Sequence, residues 1–212
     1  TGKPVEARAT EVEGLYGEVI QALQQVASLD ADRVLRRLAL LVRAVKRTNY
    51  YQTSADGRPK PYISFKVASR ELDDLPAPKP YREIFVWAPH IEGLHLRFGP
   101  VARGGLRWSD PRDDFRTEVL GLVKAQMVKN TVIVPVGSKG GFVLKKAPPA
   151  GDREAFMKEG IACYQDYLRG LLDLTDNLVE GRVVPPPDVV RQDGGNSENI
   201  FAAPALLGLL QK

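Results

Sequence analysis

The chain has 212 residues, 43% of them hydrophobic and 26% charged, with a formal net charge of +4, a composition suited to a globular domain with a substantial core. No run of about 18 apolar residues occurs, so no membrane span is expected, and Thr1-Gly2-Lys3-Pro4 lacks the apolar stretch of a signal peptide. A single cysteine, Cys163, excludes an internal disulfide and suits a reducing cytoplasm. His90 and His95 are the only histidines, which argues against a His-built zinc site, so no metal is expected.

Helical spacing opens the chain from about Thr10 to Ala27, through Val12, Leu15, Tyr16, Val19, Leu23 and Val26. Asp30 is placed to cap a second helix carrying Val34, Leu35, Leu38, Leu41, Val42 and Val45, predicted to end near Thr48-Asn49. Its basic residues, Arg33, Arg36, Arg37, Arg43, Lys46 and Arg47, read as the solvated side of that helix, and no nucleic-acid partner is expected. Thr53 to Pro59 is turn chemistry, and Tyr62 to Val67 alternates like a strand. Leu75-Pro76-Ala77-Pro78-Lys79-Pro80 is a surface link. Glu83 to Ala88 and Leu94 to Phe98 are predicted strands, with Gly93 read as the turn between them and His95 as structural.

Asp110 to Asp114 supplies a cap and an acidic first turn for a third helix. On it, Phe115, Val119, Leu122, Gln126 and Lys129 fall within about 80° of each other, so the stripe predicted to face the core ends in an amide and an ammonium. Thr131 to Val136, β-branched nearly throughout, reads as a buried strand; Gly137-Ser138-Lys139-Gly140-Gly141 follows as a turn, with Phe142-Val143-Leu144 continuing the sheet. Asp152 is placed to cap a long helix reaching about Asn177. Val183 and Val184 form a short strand, and the prolines at 185–187 hold Asp188 with little freedom. Beyond the polar joint at Gly194, residues 194–212 form a tail of uncertain origin.

Arg103, Lys129, Lys139 and Asp188 form the candidate constellation. Two separated cations suit the two ends of a dicarboxylate. A third cation near like charge gives up its proton more readily and serves as a base, while a rigid acid moves protons at the reacting carbon. Gly104 and Gly105 let backbone amides approach a ligand. The rival reading, a surface turn lysine and a lysine snorkelling at a helix end, uses the same residues. A phosphate loop of the Walker type does not fit Lys139, and no G-x-G-x-x-G occurs.

Four motifs in order resemble the substrate domain of glutamate dehydrogenases, nearest to the large NAD-specific bacterial class. They are Gly99-Pro100-Val101-Ala102-Arg103-Gly104-Gly105-Leu106-Arg107-Trp108-Ser109-Asp110, Lys124 to Asn130, Pro135 to Gly141, and Pro185-Pro186-Pro187-Asp188. The resemblance spans roughly Leu29 to Asp193. It implies that Arg103, beside Gly104 and Gly105, holds the substrate's side-chain carboxylate and that Lys129 with Gln126 holds the α-carboxylate. It further implies that Lys139 activates water or ammonia at the α-carbon and that Asp188 shuttles protons. The implied fold is α/β, a mixed central sheet flanked by helices with an N-terminal helical pair. Its parts are a helical segment over residues 1–52, a substrate-binding domain over 53–193 and the tail. The implied ligands are L-glutamate and 2-oxoglutarate. The implied cofactor is NAD, held by a nicotinamide-binding Rossmann domain expected to be absent from this chain, so the segment alone is expected to be inactive. A cytoplasmic homo-oligomer is the expected setting, and a non-catalytic assembly module is the alternative function.

Overall fold

The computed structural model describes residues 4–100, 102, 104–110, 113–129, 136–149 and 151–193; the side chains of Val5, Lys129 and Leu178 lie outside that description. Helices α1 (Val5–Ala22) and α2 (Leu29–Ala44) form the predicted N-terminal pair. Ser28, not Asp30, caps α2: its hydroxyl accepts from the Ala31 amide at 3.3 Å, and Asp30 and Asp32 occupy the first turn, where the helix dipole favours acids. The helix stops at Ala44, four residues before the predicted end, because Val45–Thr48 becomes strand β1. There the gain from pairing with two strands overrides the helical period.

Among the described residues the main sheet has seven strands in the order β5-β6-β4-β3-β2-β1-β9. These are β1, β2 (Ile63–Val67), β3 (Arg82–Trp87), β4 (Ile91–Arg97), β5 (Leu106–Trp108), β6 (Ser138–Leu144) and β9 (Val190–Arg191). The β5–β6 pair is parallel and its other neighbouring strands are antiparallel, so the sheet is mixed. Helix α3 (Phe115–Lys129) connects β5 to β6 and covers one face, where Phe115, Val119, Leu120 and Val123 meet Leu94, Leu96 and Val143. Helix α4 (Arg153–Asp173), capped by Asp152 accepting from the Ala155 amide at 2.9 Å, covers the other. Its Cys163, Tyr167, Leu168 and Leu171 pack on Ile84, Val86, Ile91 and Phe142. The α/β class and the mixed sheet between helices are as expected from sequence.

Several local readings change. Gly93 is not a turn but the middle of β4: a β-carbon there would stand 2.3 Å from the Tyr167 ring, so the glycine makes room for α4 on the sheet. The turn falls instead at Ala88, whose amide and carbonyl pair with Ile91. Helix α4 ends at Asp173, short of Asn177, because Asn177–Val179 (β7) forms a hairpin with Arg182–Val184 (β8). Its turn residues Glu180 and Gly181 have φ of 50° and 76°, the left-handed pair a two-residue hairpin turn requires. The predicted strand over residues 131–136 and the tail over 194–212 lie outside the described residues, apart from Val136.

The basic cluster of α2 is not a free patch. Arg36 pairs with Asp32, Arg37 with Asp74, Arg43 with Glu13 and Lys46 with Glu71. Arg47 is not on a solvated helix at all; it lies in β1 with its side chain 0% exposed. Its Nη1 and Nη2 donate to the two Asp176 oxygens at 2.7 and 3.0 Å, and its Nε donates to both Asp193 oxygens. Lys66, 1% exposed, also reaches Asp193 at 3.1 Å. Burial opposes the Arg47 charge, but the bonds to Asp176 and Asp193 more than offset it and hold its pKa above the ordinary value. Burial also opposes the Asp193 carboxylate, and Lys66 and Arg47 outweigh it, so its pKa is lowered.

Candidate functional site

The β5–α3–β6 unit brings several of the sequence-selected residues to one corner of the sheet. Leu106 pairs with Gly140, and the Gly140 amide donates to the Gly105 carbonyl at 3.2 Å, which lays the Gly104-Gly105 step directly on β6. A β-carbon at Gly104 would fall 1.5 Å from the Ser138 carbonyl oxygen, so only glycine allows this approach. At Gly105 a β-carbon would stand 3.9 Å from Lys139 Nζ, so the ammonium lies against that backbone. Gly137 performs the same service for α3. Its missing side chain leaves space filled by Met127, by Gln126 Oε1 at 3.1 Å and by Val123. Gln126 is thus seated over Gly137, two residues ahead of Lys139.

Lys139 is half-buried, and among the described residues it has no hydrogen bond or ion pair. It is not in a turn, as its glycine neighbours suggest, but inside β6, facing Leu96 of β4. The glycines around it serve packing on both sheet faces. A β-carbon at Gly140 would stand 2.3 Å from the Tyr167 hydroxyl and 2.9 Å from His95, and one at Gly141 3.2 Å from Phe115. His95, under this strand on the α4 side, is 2% exposed. Burial, then the Arg97 charge, pushes its pKa down to about 3, so it stays neutral, in keeping with a structural role.

The stripe on α3 differs from the wheel. Phe115, Val119, Leu120 and Val123 are buried, whereas Leu122 and Gln126 are half-buried. The row towards Gly137 and Lys139 therefore leaves the core before it reaches Gln126. Lys129 is the last residue of α3, one turn beyond Gln126; its side chain, and Arg103 altogether, lie outside the described residues.

Asp188 is not brought to Lys139. It is exposed, with φ of 54°, in the link from β8 to β9. Strand β9 pairs with β1 at the far edge of the sheet, five strand steps from β6 in the order given above. At about 4.8 Å per step that is roughly 24 Å. No contact between Asp188 and Lys139 occurs among the described residues, and no local pattern around the prolines reveals this strand order.

Sequence reasoning missed Glu83 and Arg116. Glu83, 2% exposed in β3, accepts from Arg116 Nε at 2.9 Å, which ties the first turn of α3 to the sheet. An acidic residue directly before the apolar run Ile84–Trp87 was the available signal. The described residues do not fit a dinucleotide. Such a cofactor needs a glycine-rich strand-to-helix turn to receive its pyrophosphate. The sequence between β5 and α3 in the one parallel crossover among the described residues, 109–114, contains three acids and no glycine.

This α/β domain, with a half-buried lysine ammonium against a glycine step, belongs to a class of catalytic domain that sequence comparison defines. Residues 18–205 match the family described as bacterial NAD-glutamate dehydrogenase, catalytic domain, and the chain belongs to that family. An NAD-specific glutamate dehydrogenase of Halomonas elongata is 56% identical over 193 residues, covering 91% of this chain and 12% of the relative. Enzymes of the same name from Mycobacterium tuberculosis (56% identical; 85% of this chain, 12% of theirs) and Pseudomonas aeruginosa (55%; 87% and 11%) are similar. The chain therefore spans about 12% of the length of the curated relatives it matches.

Proposed function

We propose that this segment forms the substrate side of an NAD-dependent glutamate dehydrogenase, converting L-glutamate, NAD⁺ and water to 2-oxoglutarate, ammonium, NADH and a proton. The observation that carries the reading is the Lys139 ammonium, half-buried and without a partner among the described residues, against Gly105 and two residues along β6 from the Gly137 over which Gln126 sits. Burying such a charge is costly unless something completes the site, and an anionic substrate does so. In this reading Arg103 with the Gly104 and Gly105 backbone takes the side-chain carboxylate. Gln126 and Lys129 take the α-carboxylate. Lys139 removes the proton from the water that adds to the α-carbon. The aspartate role first given to Asp188 is not retained, because the sheet separates it from Lys139.

NAD supplies the hydride acceptor when bound, and the described residues of this chain offer it no cradle. In this reading turnover belongs to the complete enzyme, in which NAD and this site meet. The test is Lys139→Ala in the complete enzyme, expected to lower kcat by about 10²–10⁴-fold, the usual worth of a positioned acid–base group. A loss confined to KM would overturn the role. Binding is tested on this chain by titrating 2-oxoglutarate; Arg103→Ala and Lys129→Ala each weaken it, and unchanged binding would refute those assignments.

A second reading, an assembly module within a homo-oligomer, is favoured by the exposed apolar residues of α2, among them Leu38 at 53% and Val42 at 61%. Light scattering of the complete enzyme with and without Leu38→Glu decides it: unchanged mass would remove this reading.

A further inference from the structure

The Glu83–Arg116 pair takes no part in the substrate reading above, yet the strand register links it to Lys139. Glu83 is directly opposite Leu96, and Leu96 is directly opposite Lys139, so the three form one row across β3, β4 and β6. Directly opposed residues in antiparallel strands point to the same side, here the side covered by α3. Two strand spacings, about 10 Å, separate the Glu83 and Lys139 backbones. Leu96 between them is 0% exposed, so water does not screen that path. Both Glu83 oxygens are taken by Arg116: Nε donates to Oε2 at 2.9 Å and Nη2 to Oε1 at 2.5 Å.

The other charged groups on this side are few. Glu118 of α3 faces Arg107 of β5 at 3.7 Å. Lys129 and Arg103 belong to the proposed substrate site, and Lys124, Asp113 and Asp114 are exposed. Strand β4 presents Leu94, Leu96 and, four residues from Leu96 towards the other end of the strand, the half-buried Glu92 to this side; its His95 and Arg97 alternate to the other.

We propose that Arg116 is a positioning residue for the chemistry of Lys139: by neutralising the buried Glu83 carboxylate, it keeps that charge from acting on the ammonium two strands away. This rests on the substrate reading only for its functional meaning; the coupling itself belongs to the fold. The Lys139 ammonium leans to Gly105 on the far side of β6, so the charges stand farther apart than the backbones. At about 15 Å, with the half-exposed ammonium partly screened, an unpaired carboxylate moves a titration by roughly 0.3–0.5 pH unit.

The experiment uses this chain and needs no turnover. Trace acetic anhydride labels free amines, and mass spectrometry reads the extent at Lys139 across pH, giving the midpoint of its reactivity. Arg116→Met raises that midpoint by roughly 0.3–0.5 pH unit, because the freed carboxylate favours the proton on Lys139. Glu83→Gln, which leaves Arg116 positive, moves it down. The double variant returns it near the wild-type value. A helix anchor without electrostatic effect would give no such opposite shifts. Midpoints unmoved in both single variants would overturn the proposal, and if Arg116→Met fails to fold by near-UV circular dichroism, the direction of the Glu83→Gln shift decides. Lys139→Ala in the complete enzyme is a separate readout: unchanged kcat there removes the catalytic role while leaving the coupling to stand or fall on the labelling.

Discussion

Helices α2 and α4 are both amphipathic, yet they meet different fates. The stripe of α4 is buried on the sheet, with Cys163 and Tyr167 at 0%, Leu168 at 1% and Leu171 at 2% exposure. That of α2 packs lightly against α1 and leaves Leu35 at 42%, Leu38 at 53% and Val42 at 61% exposed. An apolar stripe states that a face needs covering; it does not say that the cover lies within the same 212 residues. The sheet also draws in charge where α2 does not, with Arg47 and Lys66 buried among Asp176 and Asp193.

Arg47→Met strains this contrast most. It leaves two carboxylates buried without their guanidinium, and a loss of about 3–5 kcal/mol is expected from urea unfolding. A loss no larger than that of an exposed α2 residue would show that the network is solvated. Leu171→Ala, on the packed helix, is expected to cost about 2–5 kcal/mol.

The next effect is a dependence on pH. His95 is held neutral in the fold, with its pKa lowered to about 3, so the unfolded chain binds a proton that the folded chain refuses. Its stabilisation is complete above the usual histidine pKa near 6.5 and is lost as pH falls below it, by about 2 kcal/mol at pH 5. Asp193 adds a second decline at lower pH, since its lowered pKa makes its contribution present above about pH 4 and lost as pH falls further. Urea midpoints between pH 7 and 5 should fall in the native chain and flatten in His95→Gln; parallel slopes would remove the assignment. The smallest effect is expected from Leu38→Ala, about 0.5 kcal/mol or less, as for most exposed substitutions. A cost near that of Leu171→Ala would mean that α2 is covered after all.

Much of the fold was legible because periodicity reports what one element does alone. Asp152 and the stripe behind it identify α4, and the alternation in Ile63–Val67 identifies β2. The nearness of Gly104, Gly105, Gln126 and Lys139 was legible for a related reason: they stand close enough along one β5–α3–β6 unit for sequence distance to stand in for spatial distance. Asp188 precedes a strand that pairs at the opposite edge of the described sheet, a placement that sequence distance does not report. Arg47 was misread because its helix ends three residues earlier, at Ala44, and a strand's partners are remote in sequence.

The sequence by itself determined the elements, the family and the glycine-lysine motif, since each depends on residues near one another along the chain. Only the tertiary structure decided that Lys139 sits within a strand, that Glu83 and Arg116 share its side of the sheet, and that Asp188 stands far from it. Strand order and register are set by the summed burial of the whole sheet, and no short stretch of sequence carries that sum.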